Sequence, residues 1–227
     1  SAIARGLAQS KTFNISLVMP GDSSLVDLPF YHGFLWGVSN MATKSDYDVI
    51  ISMVSEKDIT QLVRLIENHK VDGVILGRTL EDDIAEKYLK EKGVPFVTAG
   101  SSLDPTVIQV DNDHRSACRE LTSVLFSKHI TKVALIGSDM KTIVSKNRLE
   151  GFKDACMEYQ VPIEEDLIYL DRDNESKIEA AVEDILKKNV ECIICMDDYI
   201  CGCVLAKLER ENVKIPEGIK EASLYDS

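Results

Sequence analysis

Phe13-Asn14-Ile15-Ser16-Leu17-Val18-Met19-Pro20 decides how this chain is built. It is an apolar run of strand length halted by Pro20 and Gly21, which is how a buried parallel strand gives out into a loop. Beyond it, Pro29 and Phe30 open a segment in which Phe34, Leu35, Val38 and Met41 fall at helical spacing, with Trp36 assigned to packing in the same helix. Strand, loop and helix make the first unit of an alternating β/α chain. Before it, Ile3 to Thr12 is too polar and too rich in small residues to be a strand.

The alternation continues to the end. Tyr47 to Val54, Val71 to Gly77, Pro95 to Ala99 and Thr106 to Asp111 read as strands, separated by helices over Glu56 to His69 and Leu80 to Lys92, the second closed by Gly93 as a C-cap. A helix over Asn112 to Lys128 follows, then a strand from Lys132 to Gly137 and a helix from Ile143 to Tyr159 with Leu149, Phe152 and Cys156 inward. The last third adds strands near Ile168 to Leu170, Cys192 to Met196 and Ile219 to Tyr225, with helices over Glu175 to Lys187 and Tyr199 to Asn212. Strands joined through helices of this length pair in parallel, with helices on both faces of the sheet. Val110-Asp111-Asn112 is a polar strand exit, so the expected division is a leader over 1–12, one lobe over 13–111 and a second over 112–227. The second lobe is expected to be incomplete at its C-terminal end, because the last strand has no closing helix.

Composition narrows the function. The chain has 227 residues, 44% hydrophobic and 28% charged, enough for a buried core. Its balance of 26 basic and 38 acidic residues, −12 in all, opposes phosphate contact by these residues alone. No apolar run reaches membrane-spanning length and no signal-peptide pattern opens the sequence, so a cytoplasmic location is expected. Cys192 and Cys195 form a C-x-x-C followed by Cys201 and Cys203, a spacing compatible with metal or redox chemistry. On a strand, however, residues three apart face opposite ways, and helical residues two apart diverge. Reduced thiols packed as small hydrophobes fit better than zinc, and neither metal nor cofactor is expected.

Ligands of open parallel sheets bind at the carboxyl ends of the strands. Those positions here are polar, with carboxylates and one well-placed arginine, Arg148. There is no G-x-G-x-x-G after a strand, no P-loop, no nucleophile elbow and no H-E-x-x-H. Four scattered histidines supply no catalytic constellation, so a binding cleft is expected and an enzyme is not.

These residues resemble a known family. Ala4-Arg5-Gly6-Leu7 with Ser10-Lys11-Thr12, Pro29-Phe30-Tyr31, Val71-Asp72-Gly73-Val74-Ile75, Val110-Asp111-Asn112, Arg148-Leu149-Glu150-Gly151-Phe152, Asp197-Asp198 and Ser223-Leu224-Tyr225-Asp226 occur in the order of its landmarks. Together they resemble the effector-binding core of bacterial transcription regulators of the lactose/galactose repressor (LacI/GalR) family. The resemblance implies two similar α/β lobes, like type I periplasmic sugar-binding proteins. It further implies a small polar effector, sugar-like, bound between the lobes, dimerisation through the core, and operator DNA read by a helix-turn-helix headpiece ahead of Ser1. Effector binding would then shift DNA affinity by linkage, making the whole protein a regulator, most simply a repressor.

The resemblance also implies roles for single residues. Arg148 matches the arginine that grips the effector, Asp226 a carboxylate that accepts from ligand hydroxyls, and Asp197 a position where the family often has asparagine. Asp198 is expected to cap the following helix rather than touch ligand. Phe30 and Tyr31 match aromatic positions lining the cleft, of which one is kept as a contact. Leu7 matches the hinge leucine that wedges into the minor groove. Replacing Arg148 with Ala is expected to abolish ligand response with the ligand-free melting point nearly unchanged. One departure stands out: where the family commonly offers an aromatic platform, after the strand near Leu170, this chain has Asp171-Arg172-Asp173-Asn174, which favours a charged or very polar ligand. A solute-binding protein for transport or chemotaxis shares the architecture and is the rival reading.

Overall fold

The computed structural model describes residues 11–21 and 29–224. In chain order the elements are β1 (Asn14–Pro20), α1 (Pro29–Lys44), β2 (Asp48–Val54), α2 (Thr60–Glu67), β3 (Gly73–Leu76), α3 (Ile84–Lys92), β4 (Phe96–Ala99) and β5 (Ile108–Val110). Then come α4 (His114–Ser127), β6 (Val133–Ile136), α5 (Ile143–Tyr159), a 3-10 turn (Glu165–Leu167) leading into β7 (Ile168–Tyr169), α6 (Glu175–Ile185), β8 (Cys192–Cys195), α7 (Asp198–Arg210) and β9 (Lys220–Ser223). The chain divides into two compact units, Ser1–Asn112 and Asp113–Ser227.

Both sheets are wholly parallel and wound the same way. The first has order β2-β1-β3-β4-β5 and the second β7-β6-β8-β9, so in each unit the first strand sits between the second and third. Leu17 lies beside Ile51 of β2 and Ile75 of β3, while Leu135 lies beside Ile168 of β7 and Ile194 of β8. A central parallel strand is covered on both faces, which is why Leu17, Val18 and Met19 are all buried although they alternate in direction. Val18 packs with Leu62, Val74, Leu76 and Leu89 on one face. Leu17 and Met19 pack with Tyr31, Phe34, Leu35 and Val38 on the other. In the second unit every residue of β6 and β8 is buried, in one continuous core with Phe152, Ile178, Val182, Ile200 and Leu208.

Local chemistry fixes the ends of these elements. Asp83 caps α3 by accepting from the backbone N–H of Ala85 and Glu86, and Gly93 ends the helix at φ 65°, where only glycine is free of Cβ strain. Asp72 accepts from the N–H groups of Thr12 and Phe13 at 2.7 and 2.9 Å, pinning the entry to β1.

Two expectations for α1 are corrected. Trp36 is 69% exposed rather than packed, and Met41 is 63% exposed rather than inward. The buried stripe runs through Tyr31, Phe34, Leu35, Val38 and Ala42, which leaves Trp36 and Met41 outside it. No helix of the described residues is long and apolar enough to cross a membrane.

Candidate functional site

Arg148 is the centre of the candidate site. On α5 it falls in the stripe Ser145, Arg148, Phe152, Ala155, spaced three or four apart and facing the core of the second unit. It is only 9% exposed. A guanidinium so placed must have its donors satisfied. One terminal nitrogen donates to the carbonyl oxygen of Met196, at the carboxyl end of β8. The other faces Nδ1 of His114, the first residue of α4, at 3.4 Å. Arginine can only donate in such a contact.

Asp197 completes the group. It leaves β8 in extended conformation, with φ −149° and ψ 171°, and caps α7 by accepting from the N–H of Ile200 at 2.8 Å. Burial pushes its carboxyl above the ordinary value, against the opposing pull of the Ile200 N–H, of the nearby Arg148 charge and of a hydrogen bond with Ser138. Asp198 was expected to be the cap, and this is corrected: it is the first residue of the helix, and its Oδ1 accepts from the neighbouring Tyr199 N–H at 3.1 Å.

The floor of the site is laid by β6. Gly137 and Ser138 follow that strand, and the Asp171–Asn174 loop is tied down on them. The N–H of Asp171 donates to Ser138 O at 3.1 Å, the N–H of Arg172 to Gly137 O at 3.0 Å, and the N–H of Met140 to Asp171 Oδ1 at 3.0 Å. Asp171 adopts φ 56° to make this turn. Arg148, His114, Ser138, Met196 and Asp197 thus form one polar group, at the carboxyl ends of β6 and β8 and the start of α4, as the switch-point rule requires. Such a surface offers fixed donors and acceptors to hydroxyl or carboxyl groups.

The fold brings Arg148 and Asp197, both named from the sequence, together with His114 and Ser138, which were not. For His114 the signal lay in its position, two residues beyond the polar strand exit Val110-Asp111-Asn112. In the first unit, Phe30 is 38% exposed, stacked on Phe34 with ring centres 5.8 Å apart, while Tyr31 is 7% exposed. Burial pushes the Tyr31 phenol up to about 12, with Arg78 pulling the other way. A hollow at the carboxyl ends of β1 and β3, bordered by Met19, Arg78 and Asp83, holds about 10 Å³, room for a single water. Leu7 and Asp226 lie outside the described residues.

The cysteines stand apart from this group. Cys118, Cys156, Cys192 and Cys195 are buried, Cys201 and Cys203 half-buried, and all six are unpaired. Burial raises the thiols of Cys118 and Cys192 to about 12. Among the described residues no group of three or more His, Cys, Asp or Glu is arranged to hold a metal ion.

Comparison with known proteins agrees with this architecture. The family profile of periplasmic binding proteins and the sugar-binding domain of the LacI family matches residues 12–225. The HTH-type transcriptional regulator MalR of Streptococcus pneumoniae is 29% identical over 219 residues, covering 94% of this chain and 67% of MalR. A putative LacI transcriptional regulator from Bacillus cereus subsp. cytotoxis superposes with a TM-score of 0.88 at 27% identity, over 94% of this chain and 78% of that one. The transcriptional regulator CelR in complex with cellobiose shares the fold, with a TM-score of 0.83 at 22% identity over 96% of this chain and 71% of that one. With two like-wound parallel units and a profile match over nearly its whole length, this chain belongs to the family of periplasmic binding proteins and LacI-type sugar-binding domains, as an effector-binding domain of LacI-family transcriptional regulators.

Proposed function

We propose that this chain senses a small polar ligand, a sugar or sugar derivative, for a cytoplasmic regulator that reads operator DNA through a helix-turn-helix segment outside these residues. The observation that carries the reading is the buried Arg148, held by Met196 and His114 beside Asp197 at the carboxyl ends of the second unit's strands. A planar fork of donors in that position suits paired hydroxyls or a carboxylate. Phe30 and Asp226 are the further contacts, with Tyr31 acting from the core beneath Phe30. Binding at this wall shifts the balance between two arrangements of the regulator and so its affinity for DNA, a coupling of about 1–3 kcal/mol in systems of this kind. Leu7 belongs to the DNA-facing hinge. A second copy of the chain is the natural partner for the exposed apolar residues of α1 and β2, namely Trp36, Met41 and Ile51.

Calorimetric titration with a panel of sugars, sugar acids and sugar phosphates tests the reading. Arg148→Ala is a blunt probe, and the expectation of an unchanged melting point is revised. Removing a buried guanidinium orphans the Met196 carbonyl, at a cost of about 1–3 kcal/mol, so the ligand-free protein also melts lower. Arg148→Lys keeps the charge and loses the fork. It should weaken any hit at least tenfold with a smaller fall in melting temperature. Unchanged affinity in both variants removes Arg148 from the site.

A further inference from the structure

We infer that the ligand is an acidic sugar, a hydroxyl-bearing ring with a carboxylate or phosphate, and that Arg172 and Asp198 select it. This rests on the effector reading above and narrows it to a chemical class. Two side-chain atoms at this end of the second unit are buried with no hydrogen-bond partner: Nε of Arg172 and Oδ2 of Asp198. A sheltered donor on a cation and a sheltered acceptor on a carboxylate are each costly to leave unmet, so both are matched to something that arrives from outside.

Their placement says what that is. Arg172 stands in the loop after β7, and Asp198 opens α7 just after β8. β6 lies between those strands, so the two residues are separated by two strand spacings, roughly 10 Å. That is the reach of a sugar ring carrying one substituent. Ser138, just after β6, stands between them, and the Arg148–Asp197 pair lies at the Asp198 end.

The charge balance favours an anion at the Arg172 end. Arg148 already has Met196 O and the nearby Asp197. The carboxylates around the loop are engaged locally, Asp171 by the Met140 N–H, Asp139 by the Lys141 N–H and Asp173 by Lys177. Arg172 has no ion pair among the described residues, and its backbone is locked by the bond to Gly137 O. A guanidinium held in place without a counter-charge is a receptor for a carboxylate or phosphate. Asp198, with Oδ1 engaged by Tyr199 and Oδ2 open, accepts from a hydroxyl at the other end.

The test is calorimetric titration of the chain with four probes: glucuronate, glucose 6-phosphate, maltose and cellobiose. One of the two acidic probes should bind at least tenfold more tightly than either neutral sugar, and its identity separates carboxylate from phosphate. Arg172→Gln, which keeps most of the side-chain volume, should cut acidic-probe affinity at least tenfold more than it cuts that of a neutral sugar. Its circular dichroism should match the parent protein. Asp198→Asn should weaken every probe that binds. Neutral sugars binding as tightly as acidic ones, equal losses for both classes in Arg172→Gln, or silence from both acidic probes overturns the inference. Neutral binding that Arg148→Lys still weakens leaves the effector reading standing, whereas binding indifferent to Arg148 removes that reading as well.

Discussion

The two units repeat one winding and use it differently. In the second, β6 and β8 are buried along their whole length and the apolar residues of both faces merge into a single core. In the first, the sheet separates two smaller clusters, and Trp36, Met41, Ile51, Leu103, Ile108 and Val110 remain exposed. Among its buried polar residues the second unit has the charged Arg148 at its strand ends and Lys207 paired with Glu183 and Glu211, whereas the first has Ser16 and Ser52 bonded to each other across β1 and β2. A repeated topology therefore fixes where strand ends lie, while the residues set on it decide which unit gathers buried polar side chains there and which leaves apolar surface exposed.

The largest expected contrast comes from glycine. At Gly151 an added Cβ would lie 2.1 Å from the carbonyl oxygen of Arg115, so α4 and α5 approach backbone to backbone there and neither can yield cheaply. Gly151→Ala should cost about 3 kcal/mol or unfold the unit. Gly202→Ala, with no atom within 4 Å of the new Cβ, should not destabilise α7 in the same unit. Urea unfolding followed by hydrogen exchange checks both. A Gly151→Ala protein as stable as its parent would mean that α4 and α5 pack less closely than described.

Alkaline unfolding sharpens the comparison at intermediate size. In the folded second unit burial holds the Cys118 and Cys192 thiols up to about 12 and that of Cys156 up to about 11. In the first it holds Tyr31 up to about 12. All four groups are neutral when protonated and ionise more readily in the unfolded chain. Their contribution is therefore complete below the unfolded pKa and lost as pH rises toward the folded one. Unfolded thiols ionise near about 8.5 and phenols near about 10, so the second unit should begin to loosen about 1.5 pH units before the first. Tyr31 alone contributes a loss of up to roughly 2–3 kcal/mol by about pH 12. Hydrogen exchange from pH 8 to 11 resolves the order, and simultaneous loosening would show that other groups govern alkaline unfolding.

Much of this was legible in the sequence because it rests on local chemistry. Pro20 and Gly93 punctuate the chain, and apolar runs of strand length alternate with helical spacing, which places most elements to within a few residues. Arg148 is legible from its match to the family's arginine and its place after a strand end, and the fold sets it in the buried stripe with Phe152. What stayed hidden depends on geometry that residue type does not carry. Asp197 and Asp198 are chemically identical, and which one caps α7 is settled by which takes the extended conformation as β8 ends. In α1, Met41 and Ala42 both continue the spacing from Val38. The sheet takes the small one, Ala42, at 5% exposure. His114 and Ser138 come to Arg148 and Asp197 only when α4, α5 and the ends of β6 and β8 are brought together, and no short-range pattern announces that.

The smallest effect probes the exposed face of α1. Gly33 and Gly37 flank Trp36 on the outward side, and a Cβ at either would meet nothing within 4 Å. In an isolated chain Gly37→Ala should therefore stabilise by about 0.5–1 kcal/mol, since alanine gives up less conformational freedom on entering a helix. If a second copy covers this face, the added methyl enters the seam and the gain reverses at protein concentrations where copies associate. Melting temperatures of parent and Gly37→Ala proteins, at two concentrations a hundredfold apart, separate these outcomes. A constant gain means that α1 stays bare and Trp36 serves some other contact. A gain at low concentration that becomes a loss at high concentration places the partner on this helix, with the two glycines as the room its side chains occupy.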